Sequence, residues 1–295
     1  MNDTQLPIGF NAFWWEKLWD EQSIAEVVNC LAALGYQAVE YKEASFNPEE
    51  KMADAFRRAV QVTEQNGLTV SNFCISRNAT VPAEMDTTVK DVTAGIRACA
   101  EAGVTTLNVI AGGVPDPVNP NGDRWFVPPQ PQLQPAWDCL FSCFEAFLEA
   151  AEECRVYLAL EALVGTLVHD YYSTLELVRR FPSEYLGLTM DPSHYLLHGN
   201  DIPWAIRQWG DRIKHVHLKD AVGRPGEFGL DFLFPLLGEG AIQWDAFMTA
   251  LREINYQGVL SVEFESFKYM DEVLHNDPAR AAELSMQSVR GLGVF

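Results

Sequence analysis

The chain has 295 residues, and 48% of them are hydrophobic, which is enough to bury a large core and argues against an intrinsically disordered protein. The formal net charge is −20, from 41 acidic and 21 basic residues. This balance argues against nucleic-acid binding and against anionic membrane surfaces, because both partners attract a basic protein surface.

Short apolar runs alternate with amphipathic helical patterns along the chain. We predict strands at 8–10, 38–41, 68–73, 106–110, 156–160, 186–190, 213–218 and 259–262. We predict helices at 24–34, 49–66, 85–102, 135–153, 172–181, 202–209, 244–254 and 278–290. Eight strands separated by helices favour a (β/α)8 TIM barrel over a doubly wound sheet. The fold class is therefore α/β, with residues 1–295 forming a single domain.

One Pro- and Gly-rich segment, 111–135, breaks this alternation after the fourth strand. A loop of this length in a compact domain is usually functional or disordered. In a barrel it would lie at the carboxyl ends of the strands, where active sites are found. We predict an ordered lid or an interface arm, with a mobile loop as the alternative.

The six cysteines form no CxxC pair, and most of them have apolar, helix-like neighbours. Free cysteine in such surroundings behaves as a small buried hydrophobe. The first residues lack the basic and apolar regions of a signal peptide, and no apolar run is long enough to span a bilayer. We therefore expect a cytoplasmic protein with reduced cysteines and no membrane partner.

Four polar residues stand at the ends of four consecutive predicted strands: Glu161, Asp191, His217 and Glu263. The strand ends of a barrel converge on one mouth, so these side chains should lie close together. An ionised carboxylate beside a core is costly unless it is paired or binds a cation. Each residue alone has a structural explanation, such as a salt bridge for Glu161 or a turn cap for Asp191. Together they favour one divalent metal ion, which would remove the repulsion among three carboxylates.

Three carboxylates and one imidazole suit a hard or borderline ion with open coordination positions. We therefore expect Mn²⁺, with Mg²⁺ or Co²⁺ as alternatives. Zn²⁺ fits less well, because it prefers more nitrogen and sulfur ligands.

Further residues near the predicted mouth could contact a small substrate. Trp15 belongs to an aromatic group after the first strand, and it could stack on a sugar or pack in the core or an interface. Glu40 ends the second strand and could bind a hydroxyl group. Lys219 and Asp220 follow His217, and they could orient a substrate or pair with each other.

Five segments of the C-terminal half carry a resemblance: LALEAL around Glu161, DPSH at 191–194, HVHLKD at 215–220, GEGAIQW at 238–244 and GVLSVEFE at 258–265. In this order they resemble the xylose isomerase-like TIM barrel superfamily. That superfamily holds sugar isomerases and epimerases, inosose dehydratase and the endonuclease IV group. The N-terminal half matches in its alternation of strands and helices only.

The resemblance to ketose 3-epimerases implies the same four metal ligands, with Glu161 and Glu263 also acting as acid and base. It implies that His194 and an arginine after the metal-binding histidine, here Arg224, contact the substrate. The endonuclease branch uses additional histidine ligands from early strands and a further Asp-x-His motif, and this sequence has neither. We therefore expect no nucleic-acid substrate. The family commonly forms dimers or tetramers, so we expect a homo-oligomer.

The sequence thus predicts a metal-dependent sugar isomerase or epimerase acting on a ketose or related keto-sugar. A carboxylate would move a proton next to the carbonyl, and the metal would stabilise the enediolate. An alternative is a metal-dependent lyase or dehydratase acting on a keto-cyclitol or a 3-keto-glycoside, including C-glycoside cleavage. A second alternative is a non-enzymatic sugar-binding barrel, because fold alone does not decide function.

Overall fold

The computed structural model describes residues 5–113 and 133–294. Its strands are β1 (Ile8–Asn11), β2 (Ala38–Lys42), β3 (Thr69–Ile75), β4 (Thr106–Ile110), β5 (Tyr157–Glu161), β6 (Leu186–Met190), β7 (Ile213–Leu218), β8 (Val222–Gly223), β9 (Phe232–Leu233) and β10 (Leu260–Val262). Eight of them close a parallel barrel in the order β1-β10-β7-β6-β5-β4-β3-β2, and β8 and β9 form a short antiparallel hairpin.

Helices connect the barrel strands and surround them. They are α1 (Glu21–Leu34), α2 (Met52–Gln65), α3 (Met85–Ala102), α4 (Gln134–Cys154), α5 (Tyr171–Arg180), α6 (Pro192–Leu197), α7 (Ile202–Trp209), α8 (Trp244–Glu253), α9 (Phe267–Glu272) and α10 (Pro278–Leu292). The predicted single (β/α)8 TIM barrel is therefore confirmed.

Local sequence signals explain where the first helix begins and ends. The Asp20 side chain accepts a hydrogen bond from the Ser23 backbone amide, and the Ser23 hydroxyl accepts one from the Asp20 backbone amide. This reciprocal capping satisfies amide groups that would otherwise lack partners. The helix stops at Gly35, whose φ of 96° suits glycine, and the chain then enters β2.

The two faces of the barrel strands have different environments. Outward-facing side chains pack against the helices, as in the stack of Phe73 on Phe56 with ring centroids 3.6 Å apart. Glu40 on β2 instead contacts His215 and His217 on β7, although β2 and β7 are not neighbours in the sheet. These contacts can form only across the barrel interior, so the interior is polar toward the carboxyl ends of the strands.

The structure adds elements that the sequence patterns did not predict: α6, α9 and the β8–β9 hairpin. The two helices have six residues each and the two hairpin strands have two each, which is too short for a hydrophobic period to repeat. Of the 111–135 segment, residues 114–132 lie outside the described residues, so the lid or interface arm stays a prediction. Within the described ranges, no helix has both the length and the apolar character needed to cross a membrane.

Candidate functional site

The four strand-end residues meet at the mouth of the barrel. One potential ligand atom from each of Glu161, Asp191, His217 and Glu263 lies within 4.8 Å of the others. His217 Nδ1 lies 3.1 Å from Glu161 Oε1, 3.4 Å from Glu263 Oε2 and 3.8 Å from Asp191 Oδ2. We call these four residues the acidic cluster.

Buried amides fix the orientation of both glutamates in the acidic cluster. Asn108 Nδ2 donates to Glu161 Oε2 at 3.2 Å, and Thr189 in turn donates to Asn108 Oδ1 at 2.8 Å. Asn11 Nδ2 donates to Glu263 Oε1 at 3.1 Å. Each glutamate therefore uses one oxygen for an amide and keeps the other directed at His217.

Asp191 is fixed in the same way by the start of α6. Its Oδ1 atom accepts hydrogen bonds from the Ser193 backbone amide at 2.8 Å and from the Ser193 hydroxyl at 2.6 Å. Its Oδ2 atom is fully buried and accepts no hydrogen bond from the described residues, although Lys219 Nζ lies 2.8 Å away. Oδ2 thus faces a cationic group without making a hydrogen bond, and it is the Asp191 oxygen that points toward His217.

The acidic cluster fits a divalent metal on these observations. The buried carboxylates of Glu161 and Asp191 and the largely buried carboxylate of Glu263 each direct one oxygen at a shared centre, and the imidazole adds one nitrogen. One of those oxygens, Asp191 Oδ2, makes no hydrogen bond within the described residues, although the Lys219 ammonium lies beside it, which is unusual for a buried carboxylate. A mixed oxygen and nitrogen set of this kind suits Mn²⁺, Mg²⁺ or Co²⁺ better than a structural Zn²⁺.

Glu40 lies beneath the acidic cluster with no exposed surface. Its carboxylate is 2.9 Å from His215 Nε2 and 3.1 Å from His217 Nε2, and it accepts a hydrogen bond from the Ser261 hydroxyl at 2.8 Å. Burial would raise the pKa of Glu40, but the two histidines outweigh burial and lower it. The structure thus places Glu40 behind a candidate metal ligand rather than at a surface where a substrate hydroxyl could reach it.

Lys219 is buried among three carboxylates at one side of the acidic cluster. Its Nζ atom lies 2.6 Å from Glu263 Oε2, 2.8 Å from Asp191 Oδ2 and 2.8 Å from Glu265 Oε2. The Phe234 ring covers the ammonium at 4.8 Å from its centroid. Burial opposes the charge on Lys219, but the carboxylates, Asp191 first, hold its pKa well above the usual range.

His194 completes the lining of the mouth from α6. Its Nδ1 atom accepts a hydrogen bond from the Val164 amide at 3.3 Å, so the neutral ring carries its hydrogen on Nε2. That Nε2 atom lies 3.4 Å from Asp191 Oδ2 and 3.8 Å from Glu161 Oε1. Burial, followed by the charge of Lys219, lowers the pKa of His194 to about 3.

The two glutamates of the acidic cluster have different electrostatic environments. Burial, together with the charge of Glu263, raises the pKa of Glu161 despite the nearby His217. Burial acts on Glu263 as well, but Lys219 and His217 outweigh it and lower the pKa of Glu263 to about 2. Glu265 lies farther along the same segment, and burial raises its pKa to about 7 against the opposing effect of Lys219.

Asp220 organises the loop that follows the β8–β9 hairpin. Its carboxylate accepts hydrogen bonds from Ala221 N, Gly238 N, Gly240 N, Ile242 N and Trp244 Nε1, at 2.9–3.1 Å. A Cβ atom at position 240 would collide with this carboxylate, so the close approach requires glycine there. Asp220 therefore stabilises the loop beside the site. It makes no ion pair with Lys219 in the described residues.

Two residues that the sequence suggested as substrate contacts have their described contacts outside the acidic cluster. Trp15 is partly buried and packs edge-on against the Phe10 ring, with centroids 5.8 Å apart. The Arg224 side chain is 82% exposed and lies 3.7 Å from Asp231 in the hairpin region. The structure therefore brings His194 and Lys219 to the acidic cluster, but it does not bring Trp15 or Arg224 into contact with it.

Three residues beside the acidic cluster were not predicted from the sequence: Asn11 and Asn108 contact it directly, and Glu265 contacts it through Lys219. Asn108 stands inside the otherwise apolar strand TLNVI, which is a signal for a buried polar contact. Glu265 follows Glu263 by two residues, the spacing that puts side chains on one face of extended backbone. Asn11 directly follows the apolar start of β1 and carries no distinct signal of its own.

Comparison with known proteins agrees with this fold. Residues 28–291 match the family described as xylose isomerase-like TIM barrel. The structure of L-ribulose 3-epimerase superposes with a TM-score of 0.73 at 18% identity, covering 98% of this chain and 95% of that one. This likeness supports the barrel fold.

Similar sequences include both named enzymes and a protein of undefined activity. Uncharacterized protein YfiH of Bacillus subtilis is 26% identical over 284 residues, covering 84% of this chain and 90% of YfiH. D-psicose 3-epimerase of Enterocloster bolteae is 30% identical over 118 residues, 39% of this chain and 36% of that enzyme. Inosose dehydratase of Bacillus cereus is 29% identical over 140 residues, 44% of this chain and 47% of that enzyme.

The chain thus spans less than half the length of the two named enzymes in these matches. The family match is much longer and includes every residue of the acidic cluster. On this ground the chain belongs to the xylose isomerase-like TIM barrel family.

Proposed function

We propose that this protein is a metal-dependent isomerase or epimerase that acts on a ketose or a related keto-sugar. The observation that carries the proposal is the acidic cluster, in which Glu161 and Glu263 each direct one oxygen at a shared buried centre. The match to D-psicose 3-epimerase supports the same reaction class over the matched residues.

The four residues of the acidic cluster would hold one divalent metal, with Mn²⁺ as the expected ion. When bound, such an ion would act as a Lewis acid and make the hydrogen next to the sugar carbonyl more acidic. Glu161 and Glu263 would then move the proton. One carboxylate accepts it as the C–H bond breaks, and the electron pair passes toward the carbonyl oxygen.

The position of the second carboxylate decides the product. If the second glutamate returns a proton to the same carbon from the opposite face, the sugar is epimerised. If the proton returns to the neighbouring carbon, the sugar is isomerised. His194 Nε2 and Lys219 Nζ are hydrogen-bond donors beside the acidic cluster and would bind sugar oxygens. In this proposal Glu40 positions His217 rather than binding substrate.

Dehydration or another elimination is the second candidate, favoured by the match to inosose dehydratase. The same proton removal would be followed by loss of a group one carbon farther from the carbonyl, on a keto-cyclitol or a 3-keto-glycoside. The buried Lys219 ammonium would stabilise negative charge on the departing oxygen. A sugar-binding barrel without catalysis would bind the same ligands without exchanging protons.

One experiment separates these functions. Protein loaded with Mn²⁺ is incubated in D₂O with ketoses, inososes and one 3-keto-glycoside, and each reaction is followed by proton NMR. Deuterium next to a carbonyl, with a new epimer or isomer, is the expected result. Loss of water or of the aglycone would assign an elimination instead. Metal-stripped protein is the matched control, and binding without exchange in any compound would contradict both enzymatic proposals.

A further inference from the structure

Lys219 presents an electrostatic problem for the proposed metal site. Its Nζ atom lies 2.8 Å from Asp191 Oδ2 and 2.6 Å from Glu263 Oε2. These are the oxygens that face His217 in the acidic cluster, since Asn11 holds the other oxygen of Glu263. An ammonium and a divalent cation would therefore compete for the same two atoms, and at such distances they would repel each other strongly.

The ammonium cannot retreat into water. Lys219 is only 2% exposed, and the Phe234 ring covers its charged end at 4.8 Å. Because a buried charge without a partner is very costly, Lys219 needs a carboxylate that the metal does not use. His194 lies 3.2 Å away, but a neutral imidazole whose Nδ1 already accepts a hydrogen bond offers no second acceptor.

Glu265 is the carboxylate with the right location. Its Oε2 atom accepts a hydrogen bond from Lys219 Nζ at 2.8 Å. Among the described residues, two groups of side chains could share a metal ion: the acidic cluster, and Glu40 with His215 and His217. Glu265 belongs to neither group. Its side chain is 19% exposed, so it borders the mouth without joining the buried centre.

We propose that Glu265 is a positioning residue that holds the Lys219 ammonium and thereby leaves Asp191 and Glu263 available to the metal. This inference rests on the metal site of the proposed function. The two carboxylates that follow β10, Glu263 and Glu265, are two residues apart and would have different roles. Glu263 would bind the metal, and Glu265 accepts the hydrogen bond from the Lys219 ammonium.

A double-mutant cycle on metal affinity tests the inference without an activity assay. Mn²⁺ is titrated calorimetrically into the metal-stripped full chain, as wild type, Glu265→Gln, Lys219→Met and the double variant. Without Glu265 the ammonium relies on Asp191 and Glu263, so we expect E265Q to weaken Mn²⁺ binding by about tenfold or more, ~1.4 kcal/mol. In the K219M background the same substitution should change the dissociation constant by no more than about twofold, because the ammonium through which Glu265 acts is gone; a difference within about twofold counts as no effect in such a cycle.

Controls separate this role from general charge and stability effects. Glu272→Gln removes the same charge from an exposed position on α9 and should leave Mn²⁺ affinity unchanged. Circular dichroism and thermal unfolding check that each variant folds, and Glu265→Ala carries the same expectations if E265Q does not fold. An E265Q effect of equal size in both backgrounds would overturn the inference, because Glu265 would then act on the metal directly. Unchanged affinity in E265Q would overturn it too, whereas a wild type that binds no Mn²⁺ would overturn the metal site itself.

Discussion

The Glu40 carboxylate faces Nε2 of His217 at 3.1 Å, while Nδ1 of the same ring faces the three carboxylates of the acidic cluster. A carboxylate on the far nitrogen fixes the tautomer and orientation of a metal-binding histidine. We therefore predict that Glu40→Gln weakens Mn²⁺ binding by about 10–100-fold, the usual effect of losing such a partner. Calorimetric titration of the metal-stripped protein measures this change.

The exposed Glu49, which follows the same strand, provides the matched control as Glu49→Gln. Wild-type Mn²⁺ affinity in a folded E40Q variant would contradict the positioning role of Glu40.

Replacing either glutamate of the acidic cluster by glutamine should abolish proton transfer. Glutamine has nearly the same shape as glutamate, and its carbonyl oxygen can still accept the hydrogen bond from Asn108 or Asn11. The neutral amide cannot accept a proton from carbon. We predict that Glu161→Gln and Glu263→Gln each slow deuterium exchange by at least about a hundredfold, since general acid–base catalysis contributes ~10²–10⁴-fold. The assay is exchange in D₂O at saturating Mn²⁺, so that weaker metal binding is compensated.

The control for these two variants is Glu16→Gln, an exposed position after β1. Full activity in both E161Q and E263Q would reject the acid and base roles.

Asp220 should contribute to stability more than to catalysis. Its carboxylate accepts five hydrogen bonds that fix the loop at 238–244. In Asp220→Asn the amide nitrogen would face N–H donors and leave some of them unpaired, at a cost of about 1–3 kcal/mol. Urea unfolding should show this loss of free energy, while Asp245→Asn at an exposed position on α8 should have little effect. Equal stability of both variants would argue against this role.

His198 should make the protein less stable in acid. Its ring lies 4.5 Å from the ring of His169, and burial, followed by the charge of His169, lowers the pKa of His198 from 6.5 to about 4. Between these values the unfolded chain binds more protons than the folded protein, so stability falls as the pH decreases through this range.

We predict that His198→Gln removes up to about one proton from the pH dependence of the unfolding free energy in that range. Urea unfolding at a series of pH values measures it, and His275→Gln, which removes an exposed histidine, is the control. An unchanged pH dependence in H198Q would contradict the prediction.

The barrel and the acidic cluster could be predicted from sequence for the same reason. Strong alternation of apolar runs and amphipathic helices identifies eight βα units, and the fold then brings their strand ends together. A carboxylate at the end of an apolar strand is costly enough to stand out, as Glu161 and Glu263 do. Their positions in sequence were therefore sufficient to predict that they meet.

The partners of these residues could not be predicted in the same way. Glu40 also ends a strand in the sequence pattern, but only the register between β2 and its neighbours places it beneath His217. Arg224 follows His217, the candidate metal ligand, in sequence, yet the β8–β9 hairpin turns that segment toward solvent. Depth in the barrel and the path of a loop are three-dimensional properties with no local pattern in the chain.

The amides of Asn11 and Asn108 have a consequence for how many bonds each glutamate can offer. One oxygen of Glu263 and one oxygen of Glu161 each accept a hydrogen bond from an asparagine amide. Each carboxylate therefore has only its other oxygen available to bind a cation. Bidentate chelation by these glutamates would break a buried hydrogen bond, which disfavours it. Protein atoms would thus satisfy only part of the coordination sphere of an ion, and the remaining positions would belong to the substrate.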